Sequence, residues 1–202
     1  MKFLATIGLA AAVAVAAFAG PAAAQSGQAQ KVDPQNELVI TTKYGDIDIR
    51  LRPDLAPNHV KRIKELAREG AYDDVVFHRV IAGFMAQTGD VQYGKASGKN
   101  SDLSQAGMGG SDKPDLKAEF SKEPFKRGTV GMARSQDPNS ANSQFFIMLA
   151  DGDFLDGQYT VVGNVVSGMD VVDKIKKGDP AQNGAVQNPD KMLKVRVAAD
   201  KK

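Results

Sequence analysis

Short runs of β-branched and aromatic residues recur along this chain, at residues 38–42, 47–51, 75–81, 129–133, 145–149, 159–166 and 192–197. Runs of this length, bounded by turn residues, predict brief strands of an antiparallel sheet closed or nearly closed on itself. Ile47, Ile49 and Leu51 alternate with Asp46, Asp48 and Arg50, so the second run buries one face and wets the other. Tyr44-Gly45-Asp46 joins it to the first run as a hairpin turn. Helical spacing is confined to two segments. Val60, Ile63, Leu66 and Ala67 follow Pro57-Asn58 and stop at Gly70; Met169, Val172 and Ile175 share a second face that ends at Gly178. The two helices are expected to cover the open ends of the sheet.

The 202 residues suffice for one substantial domain. Lys2, an apolar run over residues 3–19, a break at Gly20-Pro21 and Ala22-x-Ala24 before Gln25 have the order of a secretory signal peptide. The run is too alanine-rich to favour an uncleaved membrane anchor. Residues 1–24 are therefore expected to be removed, leaving an exported, periplasmic protein with no stable membrane insertion. Residues 25–36 carry almost no apolar side chains and read as a flexible leader; residues 37–202 form the folded domain. Polar helix faces lean toward a monomer.

Composition excludes several chemistries. A net charge of +2 offers no basic surface for nucleic acid. With no cysteine there is no disulfide, thiolate nucleophile or cysteine-based zinc site. His59, in the first helix among charges, is expected at the surface, and His78, in a strand, reads as a structural hydrogen-bonding residue. The two are far apart, with no clustered carboxylate, and make a poor metal site. No G-x-S-x-G elbow is present, so a hydrolase lacks both nucleophile and base. No metal or cofactor is expected.

The run VVFHRVIAGFMAQTGD sets a permanent cation, Arg79, among apolar neighbours. A guanidinium cannot shed its charge to suit such a setting, so it needs a partner, a wet groove or a task. Across the Gly83 break, Arg79, Met85 and Gln87 share parity. In the run NSQFFIML, Gln144 and Phe146 share one strand face while Phe145 and Ile147 share the other. Taken singly, Phe84, Met85 and Phe146 would be read as core.

Four stretches in order, FHRVIAGFMAQTGD, GTVGMARS, NSQFFI and FLDGQYTVVG, resemble the cyclophilins, a family of peptidyl-prolyl cis-trans isomerases. The resemblance runs from about Glu37 to Lys177. It implies a closed antiparallel eight-stranded β-barrel capped by two α-helices, acting on X-Pro bonds of proline-containing polypeptides and assisting the folding of exported proteins. It also implies that Arg79 is catalytic and that Phe84, Met85, Phe146 and Leu155 line a proline pocket closed on one side by Tyr159. Gln87, Gln144 and the backbone at Ala133 and Arg134 would hold the peptide main chain. A proline-segment binding module or chaperone of the same fold is the alternative. Phe154 stands where better-known members often carry tryptophan, Tyr159 where they often carry histidine, and Arg134 where they carry asparagine. Losing the indole donor at Phe154 implies weak binding of cyclosporin-type inhibitors. Residues 90–115, long and glycine-rich, depart from the family pattern.

Overall fold

A computed structural model describes residues 32–98 and 101–200. The expected signal peptide and the first part of the leader lie outside the described residues. The rest of the leader is tied down: Pro34–Asn36 form one 3-10 turn capped by Asp33. Lys64 donates to the Gln35 carbonyl and to Asn36 Oδ1, at 3.1 and 3.2 Å.

The first two runs become a hairpin of β1 (Glu37–Thr42) and β2 (Gly45–Leu51). Thr42 pairs with Gly45, so the turn is Lys43-Tyr44, one residue earlier than the sequence suggests. Thr42 Oγ1 accepts the Tyr44 N–H and donates to the Gly45 carbonyl, which stitches the turn shut. Ile47, Ile49 and Leu51 are buried, as their alternation requires.

The third run yields less strand than its composition suggests. Only Arg79–Ile81 form β3, while Val75 and Val76 make isolated bridges to Lys95 and Lys191. Gly83, at φ 70°, then reverses the chain into β4 (Met85–Thr88), which was absent from the predicted runs because one alanine and two polar residues dilute its pattern. The remaining strands are β5 (Thr129–Met132), β6 (Phe145–Met148), β7 (Val161–Ser167) and β8 (Lys194–Val197). All eight join one antiparallel sheet in the order β3-β4-β6-β5-β7-β2-β1-β8.

The expectation of a closed barrel needs correction: the ladder is open and the sheet is a curled half-barrel. Its end strands, β3 and β8, do not pair. Residues 178–192 come between them and contain Pro180, Pro189 and three residues of positive φ, Asn183, Gly184 and Asn188. Such a segment cannot present a continuous row of donors. It makes single links instead, from Val80 N–H to the Gly184 carbonyl, Val186 N–H to the His78 carbonyl and Phe77 N–H to the Asp190 carbonyl.

The helices are α1 (Pro57–Arg68) and α2 (Met169–Lys174). Helix α1 buries Val60, Ile63, Leu66 and Ala67 and packs beside β8, whereas α2 packs beside β2. His59 is fully buried, contrary to its expected exposure. Its Nδ1 lies 2.6 Å from Glu119, whose carboxylate also accepts the backbone N–H groups of Asn58 and His59. A carboxylate distant in sequence thus satisfies the free donors of the first helical turn. Burial works to raise the Glu119 pKa, but these hydrogen bonds outweigh it and hold the group below its ordinary value.

The apolar interior divides in two. The larger core lies between the sheet and the helices. The smaller gathers Met85, Phe125, Phe146, Met148, Leu155 and Val161, with Phe84 and Tyr159 packed against it.

Candidate active site

The smaller core opens into a groove of about 410 Å³. Adjacent strands β4 and β6 contribute Met85 and Phe146 to its floor. Phe125 stacks behind Phe146, with centroids 5.8 Å apart and planes at 20°. Tyr159 stands edge-on to Phe146 at 5.8 Å and to Phe125 at 6.4 Å. Each ring restrains the next, so the wall is set before anything binds. Gly131 of β5 makes the stack possible: a Cβ there would sit 2.6 Å from Phe146 and 2.7 Å from Phe125. Leu155 enters from a 3-10 turn, Asp153–Leu155. Phe84 leans on Phe154 at 5.5 Å, and Phe154, 65% exposed, forms the outer lip.

Arg79 stands at the rim of this apolar surface. In β3 it pairs with Gln87 of β4 across the hairpin, so the shared parity carries over the Gly83 turn. Among the described residues no carboxylate lies in ion-pair range of its guanidinium. Neutral oxygens hold it instead. Nε donates to the Asn183 carbonyl at 2.9 Å, Nη2 to Asn183 Oδ1 at 3.0 Å, and Nη1 to Gln87 Oε1 at 3.3 Å. Nη1 also lies 3.8 Å from Met85 Sδ. Burial lowers its pKa from the ordinary value, with the Tyr159 hydroxyl acting weakly the other way. A guanidinium starts so high that it keeps its charge. Among the described residues Nη2 donates to Asn183 Oδ1 alone, and its other hydrogen has no acceptor there.

The amides continue from Arg79 as a chain with one consistent orientation. Gln87 turns its oxygen to Arg79 and donates Nε2 to Gln144 Oε1 at 2.9 Å. Gln144 donates its own Nε2 to the carbonyls of Gly107 and Gly109, at 3.0 and 2.7 Å. The glycine-rich segment is therefore part of the site wall. Asp90, fully buried, orders it: one carboxylate oxygen accepts the Gln92 and Tyr93 N–H groups, the other those of Gly107 and Gly109. Lys99 and Asn100 of this segment lie outside the described residues.

Arg134 does more than lend its backbone. Its guanidinium carbon lies 4.4 Å above the Tyr159 ring. Its Nη atoms donate to the carbonyls of Ser135, Gln136 and Gln158. This clamps the ring that bounds the groove. Ala133 donates its N–H to the Gln144 carbonyl at 2.9 Å, which fixes the edge of β5 beside the groove.

The structure brings Arg79, Phe84, Met85, Gln87, Ala133, Arg134, Phe146, Phe154, Leu155 and Tyr159 to one groove. Gln144 lines an adjoining hollow of about 240 Å³, between Gly107–Gly109 and Ser135–Ser140. His78 lies outside the first groove, buried against Gly107, and burial pushes its pKa below the ordinary value. Among the described residues no three histidine or acidic side chains converge to hold a metal ion. Phe125, Gly131, Asp90 and Asn183 are absent from the sequence-derived set. For Asp90 and Gly131 the signal was present, since each ends or interrupts a quoted motif; Phe125 and Asn183 lie in stretches without any pattern.

Residues 37–197 match the family described as Cyclophilin type peptidyl-prolyl cis-trans isomerase/CLD. A "Probable peptidyl-prolyl cis-trans isomerase" of Brucella suis biovar 1 (strain 1330) is 63% identical over 191 residues, covering 95% of this chain and 97% of that protein. "Peptidyl-prolyl cis-trans isomerase B" of Escherichia coli (strain K12) is 39% identical over 165 residues, covering 73% and 88%. Among solved structures, cyclophilin AquaCyp293 from Hirschia baltica superposes with a TM-score of 0.70 at 27% identity, over 85% of this chain and 77% of that one.

Proposed function

The chain belongs to the cyclophilin-type peptidyl-prolyl cis-trans isomerase family, and from that premise we propose that Arg79 and the groove beside it turn X-Pro bonds in exported polypeptides. The observation that carries this reading is the setting of the guanidinium: charged, held by neutral oxygens, and beside a proline-sized apolar wall.

The amide C–N bond resists rotation because the nitrogen lone pair is delocalised into the carbonyl, a barrier of about 18–20 kcal/mol. Cis and trans prolyl forms differ by only about 1 kcal/mol, so the problem is the rate. As the bond twists, the nitrogen pyramidalises and its lone pair localises. A donor aimed at that nitrogen then binds the twisted form better than either planar one. The Arg79 Nη2 hydrogen is that donor, and apolar neighbours limit competition from water. A charge-assisted hydrogen bond supplies about 1.5–3 kcal/mol, roughly 10- to 100-fold in rate. Gripping the proline ring among Phe84, Met85, Phe146 and Leu155 while the acyl side turns supplies the remainder. Gln87, Gln144 and the β5 edge hold the main chain. No covalent intermediate is involved.

Export is supported by the order of Lys2, the apolar run, Gly20-Pro21 and Ala22-x-Ala24. The mature protein is a periplasmic monomer that begins near Gln25. Among the described residues no helix is long and apolar enough to cross a membrane. A protease-coupled assay with proline peptides tests the activity. Sequencing the N-terminus of protein recovered from a periplasmic fraction tests export; retention of residues 1–24 in the cytosol would contradict it.

A further inference from the structure

Asn183 sits in a turn whose sequence resembles none of the site motifs, yet it makes two of the hydrogen bonds that fix the Arg79 guanidinium. The turn is built to hold it. Asp179 caps the 3-10 turn Pro180–Gln182 by accepting the Ala181 N–H at Oδ1 and the Gln182 amide at Oδ2. The turn is fastened to β3 on both sides, since Gly178 N–H donates to the Val80 carbonyl and Val80 N–H to that of Gly184. Asn183 terminates the turn at φ 53° and ψ 33°, a left-handed conformation that asparagine tolerates far better than most side chains. Gly184, whose Cβ would fall 2.4 Å from Ile81, presses this corner against β3.

We propose that Asn183 is a positioning residue for the isomerase reaction: its carbonyl and amide oxygens grip the Nε and Nη2 side of Arg79 and aim the remaining Nη2 hydrogen at the prolyl nitrogen. This rests on the reading of Arg79 as the catalytic donor. A free arginine side chain explores many rotamers, and fixing it costs on the order of 1.5–2 kcal/mol. Asn183 and Gln87 bear that ordering in advance, so it does not fall on the transition state. The chemistry of the grip matters too. Two neutral oxygens orient the cation without cancelling it, whereas a carboxylate here would pair with the charge and weaken its pull on a developing lone pair.

The test is a double-mutant cycle on the purified protein, read by steady-state kinetics with a proline peptide. Asn183→Gly suits it, because glycine keeps the left-handed turn and the backbone carbonyl while deleting the amide. The expected result is a fall in kcat of about 3- to 10-fold, less than the full worth of a hydrogen bond to a charged group because the Asn183 carbonyl and Gln87 still hold the guanidinium, with KM within about twofold. The unfolding midpoint should hold, and the Arg79 Nη2–H resonance should lose its distinct shift while Nε–H, still bonded to the retained backbone carbonyl, keeps its own. In the Arg79→Ala background, Asn183→Gly should cost nothing further. An equal loss in both backgrounds overturns the proposal, because the effect would then not pass through Arg79. Unchanged kcat in Asn183→Gly, with Arg79→Ala impaired, overturns it while sparing the role of Arg79. Full activity in Arg79→Ala removes both.

Discussion

Two parts of the molecule meet at Arg79, and they are made differently. On one side lie β4, β6 and β5, a regular ladder that carries Phe146, with the ring of Phe125 stacked on it from the segment before β5. On the other lies the seam between β3 and β8, where residues 178–192 make isolated links and no ladder. The ladder gives the groove its shape and much of its stability, because rings packed on strands bury large apolar area. The seam contributes little apolar burial but supplies two of the three oxygens that hold the cation, the third being Gln87 Oε1 on β4. Stability and aim are thus assigned to separate regions, and substitutions should separate them.

The largest effect belongs to the ladder side. Phe125→Ala removes a fully buried ring from behind Phe146 and is expected to cost about 3–5 kcal/mol in denaturant unfolding. A loss of activity without a loss of stability would break the division just drawn.

The seam should respond to pH instead. His78 precedes β3, accepts the Val186 N–H at its carbonyl, and is held below its ordinary pKa chiefly by burial; the Arg79 charge acts the same way, and Asp90 works against both. Because the folded pKa lies below the unfolded value near 6.5, the unfolded chain takes up the proton first as pH falls. The contribution of His78 is therefore whole above about pH 6.5 and declines below it, with a slope of at most about 1.4 kcal/mol per pH unit. His78→Phe should flatten that part of the stability profile, measured by thermal unfolding between about pH 7 and pH 5.

Smaller effects sharpen the account at the groove's edges. Phe154→Trp restores an N–H donor at the exposed lip and should tighten a cyclosporin-type inhibitor by about 2- to 10-fold, measured by competition in the peptide assay. Arg134→Ala frees the Tyr159 ring and should raise KM by about 2- to 5-fold, the worth of a partly exposed cation–π contact.

The same division explains what the chain disclosed before its structure was known. The faces of β2 and α1 follow from period alone, since Ile47, Ile49 and Leu51, and Val60, Ile63 and Leu66, are spaced as their elements demand. The groove residues fall within four quoted motifs, each of which includes strand residues. What was not legible depends on contacts between distant segments. His59 looks like a surface residue until Glu119 arrives to meet it. The open edge of the sheet comes from prolines and positive-φ residues in a stretch without apolar period. Asn183 is invisible for the same reason, because its role is set by where a turn is fastened rather than by its neighbours in sequence.

The central claim is that Arg79 favours the twisted prolyl amide over both planar forms. Exchange NMR on a proline peptide measures the interconversion rate on the protein and the affinity together. With Arg79→Ala the account predicts that on-protein exchange slows by at least about 10-fold, with Kd changed by less than about threefold. Exchange at the unaltered rate, or a loss that lies entirely in Kd, would contradict it.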